Sequence, residues 1–280
     1  MDLLKRILEC KEEEIDSIID AAIKEANANA NQVDKLGFLD AGQSNSLFKG
    51  FIPLHTRISY SNHSIEDYGM ETTDFLYEFA RFVRDNNVNS KAGLIYSLET
   101  FVNMYFGLPG KAERETIFND IAWQTTNTDD EYFEALENNK LGDLKGKGAA
   151  QCTERSALAQ QVLSLFGVES YYCMGCVDLE NRQEGHCFNV VKRQNDYALL
   201  DYSMPINSYD EQDRINAYLP FVGVLTNDEF IDFVNNGTLK SFEDYYIKMK
   251  EKVPTEKERT YVVGEYQIEK EEEPTNNINP

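Results

Sequence analysis

The sequence predicts an α+β fold in which a helix packs on an antiparallel sheet, and two adjoining patterns carry this prediction. Apolar residues between Thr153 and Phe166 recur every three or four positions, which is typical of a helix with one buried face. Three short runs rich in aromatic and β-branched residues follow, at Tyr171–Val177, His186–Lys192 and Tyr197–Tyr202. Because only short polar segments separate the runs, the sequence indicates a meander of antiparallel strands.

Glycine and polar residues predict where these elements end. Gly167 follows the helix at the position where a left-handed residue is favoured. The polar segments Asp178–Gly185 and Arg193–Asp196 are predicted as the turns between the strands. A glycine-rich loop at 142–148 precedes the helix. The predicted buried face of the helix consists of Leu158, Val162, Leu165 and Phe166.

The first 110 residues are predicted to be a helical region that packs on the later sheet. Isoleucine and alanine residues between 15 and 23 have helical spacing, and an Asn- and Ala-rich run at 27–32 interrupts it. A further helix is predicted from the N-cap residue Ser90 to Gly107. The pattern between them, at 36–68, is less regular.

The rest of the chain divides into a core at 111–255 and an extension at 256–280. Helices are predicted near 111–124, 130–138, 227–235 and 242–252, and a strand is predicted at 220–225. The extension is charged and rich in Pro and Asn, so we expect part of it to be disordered.

The composition excludes several classes of partner. The formal net charge is −22, so a nucleic-acid backbone or an anionic membrane surface would repel the chain. No secretory signal pattern and no run of about 20 apolar residues is present. We therefore expect a cytoplasmic protein, with signal-independent secretion as the open alternative. The five cysteines do not resemble an evenly paired disulfide framework, and we expect mostly free thiols.

Cys152 is the candidate nucleophile. It follows the segment GKGAAQ and begins the predicted helix, where unpaired backbone N–H groups and the helix dipole stabilise a thiolate. The same N–H groups would stabilise an oxyanion formed when the sulfur attacks a carbonyl carbon. The alternative is an ordinary buried cysteine that packs at a helix start.

His186 and Asp201 are the candidate base and orienting acid. If 193–196 forms a tight connection of two or four residues, Lys192 pairs with Tyr197, and the same register places Phe188 opposite Asp201. A loop of odd length or a bulge would break this register. Because side chains alternate along a strand, His186 and Asp201 then share one face and lie diagonally within reach. The alternatives are a structural histidine and a turn-forming aspartate.

The order of these three residues resembles the transglutaminase-like core of the papain-like cysteine enzymes. The matching motifs are GAAQCTERSALAQQVLSLFGV, EGHCFNVV and YALLDYS, all within residues 142–205. The resemblance implies a catalytic core at 111–255, with Cys152 as nucleophile, His186 as base and Asp201 as orienting acid. Phe188 takes a place that tryptophan often holds in the family. The implied activity is acyl transfer or amide hydrolysis through a thioacyl intermediate, without a cofactor.

The residue that completes the oxyanion hole is less clearly marked. The family provides it from an upstream side chain, and the candidates here are Trp123, Gln124 and Gln151. The chain lacks the length for the extra β-domains of calcium-dependent animal transglutaminases, so the resemblance does not imply calcium activation.

Two other functions remain open. Cys173 and Cys176 have CxxC spacing, and His186 and Cys187 could complete a structural zinc site. Adjacent strand residues point to opposite faces, however, which disfavours a common metal ion, and we predict no metal. The other alternative is a catalytically silent binding or scaffold protein that retains the fold.

The predicted reaction begins with attack of the Cys152 thiolate on a carboxamide or peptide carbonyl, and His186 then protonates the departing amine. An amine acceptor would give transglutamination, whereas water would give deamidation or proteolysis. The acidic charge favours a basic protein or a polyamine as substrate or partner.

Overall fold

The computed structural model describes residues 3–30, 38–40, 46–54, 56–59, 68–107, 140–148, 150–179, 182–203 and 221–239. Within these residues the protein is α+β, with six α-helices and a six-stranded, mainly antiparallel sheet. This confirms that the fold is of the α+β class. Trp123, Gln124 and the helices predicted near 111–124, 130–138 and 242–252 lie outside the described residues, as does the extension at 256–280.

The helices agree closely with the sequence pattern where both can be compared. Ser90 caps its helix as predicted, because its Oγ accepts a hydrogen bond of 3.0 Å from the Gly93 N–H. Gly167 has the predicted left-handed backbone, with φ of +76°. None of the described helices has the length and apolar character needed to cross a bilayer. The helices are α1 (Leu3–Glu9), α2 (Ile15–Asn29), α3 (Thr73–Asp85), α4 (Lys91–Phe106), α5 (Cys152–Leu165) and α6 (Asn227–Asn236).

The strands form one large sheet and one small sheet. They are β1 (Phe38–Asp40), β2 (Ser46–Lys49), β3 (Arg57–Ser59), β4 (Tyr68–Gly69), β5 (Ser170–Leu179), β6 (Arg182–Lys192), β7 (Tyr197–Leu200), β8 (Phe221–Leu225) and β9 (Thr238–Leu239). The large sheet has the order β2-β5-β6-β7-β8, and β9 pairs with β5 in the parallel direction. The small sheet has the order β1-β3-β4. The first 110 residues therefore contribute a strand, β2, to the large sheet as well as helices.

The connection between β5 and β6 differs from the prediction. The predicted turn at Asp178–Gly185 is wrong, because the ladder continues to the pair of Leu179 with Arg182. Main-chain hydrogen bonds make a ladder, so polar side chains in the sequence do not end it. The other predicted turn, Arg193–Asp196, is confirmed: Lys192 pairs with Tyr197 as expected.

The large sheet separates two apolar clusters. Tyr172 and Cys187 belong to the larger cluster, which contains the buried side chains of α1–α5. The neighbouring residues Cys173 and Phe188 belong to the smaller cluster, together with Phe230 and Phe233 of α6. This alternation follows the pleat of β5 and β6 and gives a layered arrangement of helices, sheet and helix.

Helix α5 is buried on all sides along most of its length, whereas the sequence predicted one buried face. Every residue from Cys152 to Leu163 is buried, including six with polar side chains. Gln160 donates to the Gly50 carbonyl at 2.8 Å, and Gln161 donates to the Ile52 carbonyl at 2.7 Å. Polar residues are stable in a protein interior when such hydrogen bonds are made. These bonds hold the segment after β2 against the central helix.

Candidate active site

Cys152 is the first residue of α5, as predicted. Cys152 is a buried residue with 8% of its surface exposed. The first intrahelical bond after Gln151 runs from the Arg155 N–H to the Gln151 carbonyl. The N–H groups of Cys152 and Thr153 therefore precede the hydrogen-bonded part of the helix, where backbone donors and the helix dipole favour negative charge.

His186 and Asp201 are in direct contact, as the predicted register required. His186 Nε2 lies 2.8 Å from Asp201 Oδ2, and both side chains are buried. Asp201 immediately follows β7, whose last residue, Leu200, pairs with Asn189. The His186 ring also stacks on Phe188, with 6.3 Å between ring centroids. The contacts of His186 with Asp201 and with Phe188 agree with the shared face predicted for these residues.

Ser203 is a member of the site that the sequence reasoning missed. Its N–H donates to Asp201 Oδ1 at 2.8 Å, and its hydroxyl donates to the same oxygen at 2.5 Å. The available signal was the Asp-x-Ser spacing after a strand, which is typical of a local side-chain-to-backbone turn. One carboxylate oxygen thus receives donors from Ser203 while the other holds His186.

The Cys152 sulfur and the His186 ring form an interacting pair. A hydrogen bond from the Cys187 thiol lowers the pKa of Cys152, burial opposes this, and the charge and hydrogen bond of His186 lower it further. The net pKa of Cys152 is well below its ordinary value. Burial alone would lower the pKa of His186, but Asp201 and Cys152 raise it well above its usual range. These opposite shifts favour a thiolate beside an imidazolium.

Cys187 is the second thiol at this site, and sequence reasoning considered it only as a zinc ligand. Its thiol and its backbone N–H both lower the pKa of the Cys152 thiol by hydrogen bonding. It follows His186 in β6, so the strand alternation directs its side chain toward the face that α5 covers. That alternation was the only sequence signal for its position.

Arg155 anchors the backbone that leads into Cys152. Its Nε donates to the Ala150 carbonyl at 3.0 Å and its Nη2 donates to the Gly107 carbonyl at 2.8 Å. Its Nη1 donates to Asn103 Oδ1 at 2.6 Å. Arg155 is fully buried. Burial lowers the pKa of Arg155 to about 10 and raises the pKa of Glu99 to about 8, and the interaction between the two groups opposes both shifts. In the sequence Arg155 is one of several polar residues of the helix, and nothing in the pattern marks it as buried.

The remaining predicted site residues have the following positions. Gln151 is exposed at the N-cap of α5, and its N–H donates to Glu154 Oε2 at 2.9 Å. Phe188 is fully buried between His186 and Phe233, so its role in this structure is to pack behind the histidine. Gln151 is therefore the one predicted side-chain oxyanion candidate that the described residues place beside Cys152.

The four residues of the considered zinc site do not converge. Cys173 lies in the smaller apolar cluster, whereas Cys187 lies in the larger one on the opposite face of the sheet. Across the described ranges, no group of three or more His, Cys, Asp or Glu side chains is arranged to hold a metal ion. All five cysteines are free thiols, as expected.

Comparison with protein-family models, curated proteins and solved structures found no match to this chain.

Proposed function

We propose that this chain is a cysteine-dependent acyl transferase or amide hydrolase with a transglutaminase-like, papain-like core. The observation that carries the proposal is the contact of Asp201 with His186, combined with the Cys152 sulfur beside the same imidazole at a helix start. The nucleophile Cys152 lies at a helix start, the base His186 lies on strand β6, and the acid Asp201 follows strand β7. This is the order that the resemblance implies.

The first half of the reaction forms a thioester. The Cys152 sulfur attacks the carbonyl carbon of an amide, and the new C–S bond drives the carbonyl electrons onto oxygen. Backbone N–H groups at the start of α5 stabilise this oxyanion. When the C–N bond breaks, the imidazolium of His186 transfers its proton to the departing nitrogen. The product amine or ammonia leaves, and the acyl group remains on Cys152.

The second half transfers the acyl group to an acceptor. Neutral His186 removes a proton from water or from a primary amine, which attacks the thioester carbonyl carbon. The C–S bond breaks and the Cys152 thiolate and the His186 imidazolium are regenerated. Water yields a carboxylic acid, and an amine yields a new amide.

Asp201 orients His186 and compensates its charge. With Nε2 held by Asp201 Oδ2, the bond to the Cys152 sulfur is left to Nδ1. The two donors of Ser203 on Oδ1 stabilise the ionised carboxylate in its buried position. The substrate is a protein or peptide, and the acidic surface favours a basic protein or a polyamine.

The test compares wild type with Cys152→Ala for ammonia release from a glutamine-rich protein and for incorporation of a fluorescent primary amine. We expect both signals to disappear in Cys152→Ala and to persist in the control Cys10→Ser. Cys10 donates to the Ile7 carbonyl at 3.3 Å, a bond that serine can replace. Equal signals from wild type and Cys152→Ala would refute the enzymatic proposal and leave the scaffold role.

A further inference from the structure

A second thiol lies beside the proposed nucleophile, and the acyl-transfer steps do not use it. Cys187 is 2% exposed and belongs to the same apolar cluster as Cys152. Thr153 Oγ1 contacts both sulfurs, at 4.0 Å from Cys152 Sγ and 3.5 Å from Cys187 Sγ. The two thiols therefore occupy one small polar space inside the larger apolar cluster.

Hydrogen bonds connect α5, which carries Cys152, to β6, which carries Cys187. Ser156 Oγ donates to the Cys187 carbonyl at 3.0 Å, and Asn189 Nδ2 donates to the Ser156 carbonyl at 3.0 Å. All three residues are buried. These bonds keep the first turns of α5 against the part of β6 that carries Cys187.

We propose that Cys152 and Cys187 form a peroxide-sensitive modification site, in which the two thiols join as a reversible disulfide and remove the nucleophile. The inference rests on the Cys152 thiolate of the proposed function but not on the acyl-transfer steps. The substrate of this reaction is a small hydroperoxide, because a residue that is only 8% exposed admits only a small oxidant.

The reaction takes place in two steps. The Cys152 thiolate attacks one peroxide oxygen, so that an S–O bond forms and the O–O bond breaks. The departing oxygen takes up a proton as water or an alcohol, and Cys152 becomes a sulfenic acid. The Cys187 sulfur then attacks the Cys152 sulfur, an S–S bond forms, and the hydroxide that leaves combines with the Cys187 proton as water. Two thiols lose two electrons in total, and the peroxide gains them.

The surroundings of Cys187 favour its reaction in the second step, after Cys152 has been oxidised. Burial raises the pKa of the Cys187 thiol, and the hydrogen bond and charge of Cys152 raise it further. Cys187 is thus a protonated donor while Cys152 is a thiolate. Oxidation of Cys152 removes that negative charge, and donors from Tyr172 and Thr153, both 3.5 Å from the Cys187 sulfur, then favour its ionisation.

Cys173 supplies a contrast within the same sheet. It is also fully buried with a raised pKa, but it lies in the smaller apolar cluster on the opposite face. It should therefore neither react with peroxide nor pair with Cys152.

The sequence makes the product easy to identify by mass spectrometry. Trypsin places Cys152 alone in peptide 148–155 and Cys187 alone in peptide 183–192, apart from the other three cysteines. We expect reduced wild type treated with equimolar hydrogen peroxide to lose two hydrogen masses and to yield these two peptides linked. A thiol reductant should separate them and restore iodoacetamide labelling of Cys152. Cys173→Ser should behave as wild type.

Cys187→Ser and Cys187→Ala should instead retain a Cys152 sulfenic acid that dimedone traps, followed by oxidation that the reductant does not reverse. The inference is overturned if wild type shows the same irreversible products as Cys187→Ser, or if Cys152 is linked to another cysteine. Linked peptides without amide turnover would refute only the proposed function. Turnover without linked peptides would refute only the disulfide.

Discussion

The Nε2 atom of His186 lies 2.8 Å from Oδ2 of Asp201, and this bond joins β6 to the residue that follows β7. Neither residue is more than 9% exposed. A buried carboxylate in this position both fixes the orientation of the imidazole and stabilises its positive form. The bond therefore makes His186 a proton donor and acceptor of defined geometry for Cys152.

Replacing Asp201 by Asn should lower kcat/KM for amide turnover on the order of 10²–10⁴-fold, because the amide carries no charge and does not hold the same imidazole tautomer. Steady-state kinetics of folded variants would measure this. Ser203→Ala is the matched control, since it removes the hydroxyl donor to Oδ1 and leaves both the backbone donor and the His186 bond. It should lower turnover by less than about tenfold. A fully active Asp201→Asn would contradict the assigned role.

The pH dependence of Cys152 alkylation should reveal its lowered pKa. Only the thiolate reacts with iodoacetamide, so the wild-type rate should stay high well below the ordinary thiol pKa and fall when Cys152 takes up a proton. In His186→Gln the positive charge is absent, which raises the pKa of Cys152 and moves the midpoint of the rate profile to higher pH.

The rate constants can be measured by mass spectrometry of peptide 148–155 across pH 5–9, a range of about two units on either side of neutrality. Peptide 7–11, which contains Cys10, provides an internal reference in every sample. Coincident profiles for wild type and His186→Gln would show that the imidazole does not stabilise the thiolate.

Arg155→Met should destabilise the fold by about 3–5 kcal/mol, because it leaves the buried carbonyl oxygens of Ala150 and Gly107 and the side-chain oxygen of Asn103 without their donor. It should also slow alkylation of Cys152, since Arg155 holds the Ala150 carbonyl just before the nucleophile. Arg81→Met is the control: Arg81 pairs with Asp16 at a partly exposed position, and its loss should cost at most about 1 kcal/mol. Urea denaturation measures both, and similar losses would exclude an anchoring role for Arg155.

Gly175→Ala should be destabilising by about 1–3 kcal/mol. Gly175 pairs with His186 across β5 and β6, and an added Cβ would lie 2.5 Å from the Gly237 carbonyl oxygen and 2.9 Å from the Phe233 ring. Gly185→Ala serves as the matched control, because a Cβ there meets nothing within 4 Å among the described residues. Thermal unfolding of both variants tests the difference. A tolerated Gly175→Ala would mean that α6 and β9 pack less closely on β5 than the structure indicates.

Most of the fold was predictable where local chemistry determines an element. The cap at Ser90, the left-handed Gly167 and the short connection at 193–196 each depend on residues close together in sequence. The sequence mispredicts the hairpin between β5 and β6, because polar side chains favour a turn at 178–185 whereas main-chain pairing continues to Leu179 and Arg182.

The sequence by itself determined that Cys152 begins a helix and that His186 and Asp201 share a strand face, because helix caps and strand register are local properties. Only the tertiary structure decided that Cys187 lies beside Cys152 and that Arg155 is buried. Those positions depend on contacts between distant segments, 34 residues apart for Thr153 and Cys187 and 52 for Asn103 and Arg155. A periodicity identifies which face of an element is apolar, whereas the partner that covers a polar side chain is set by packing.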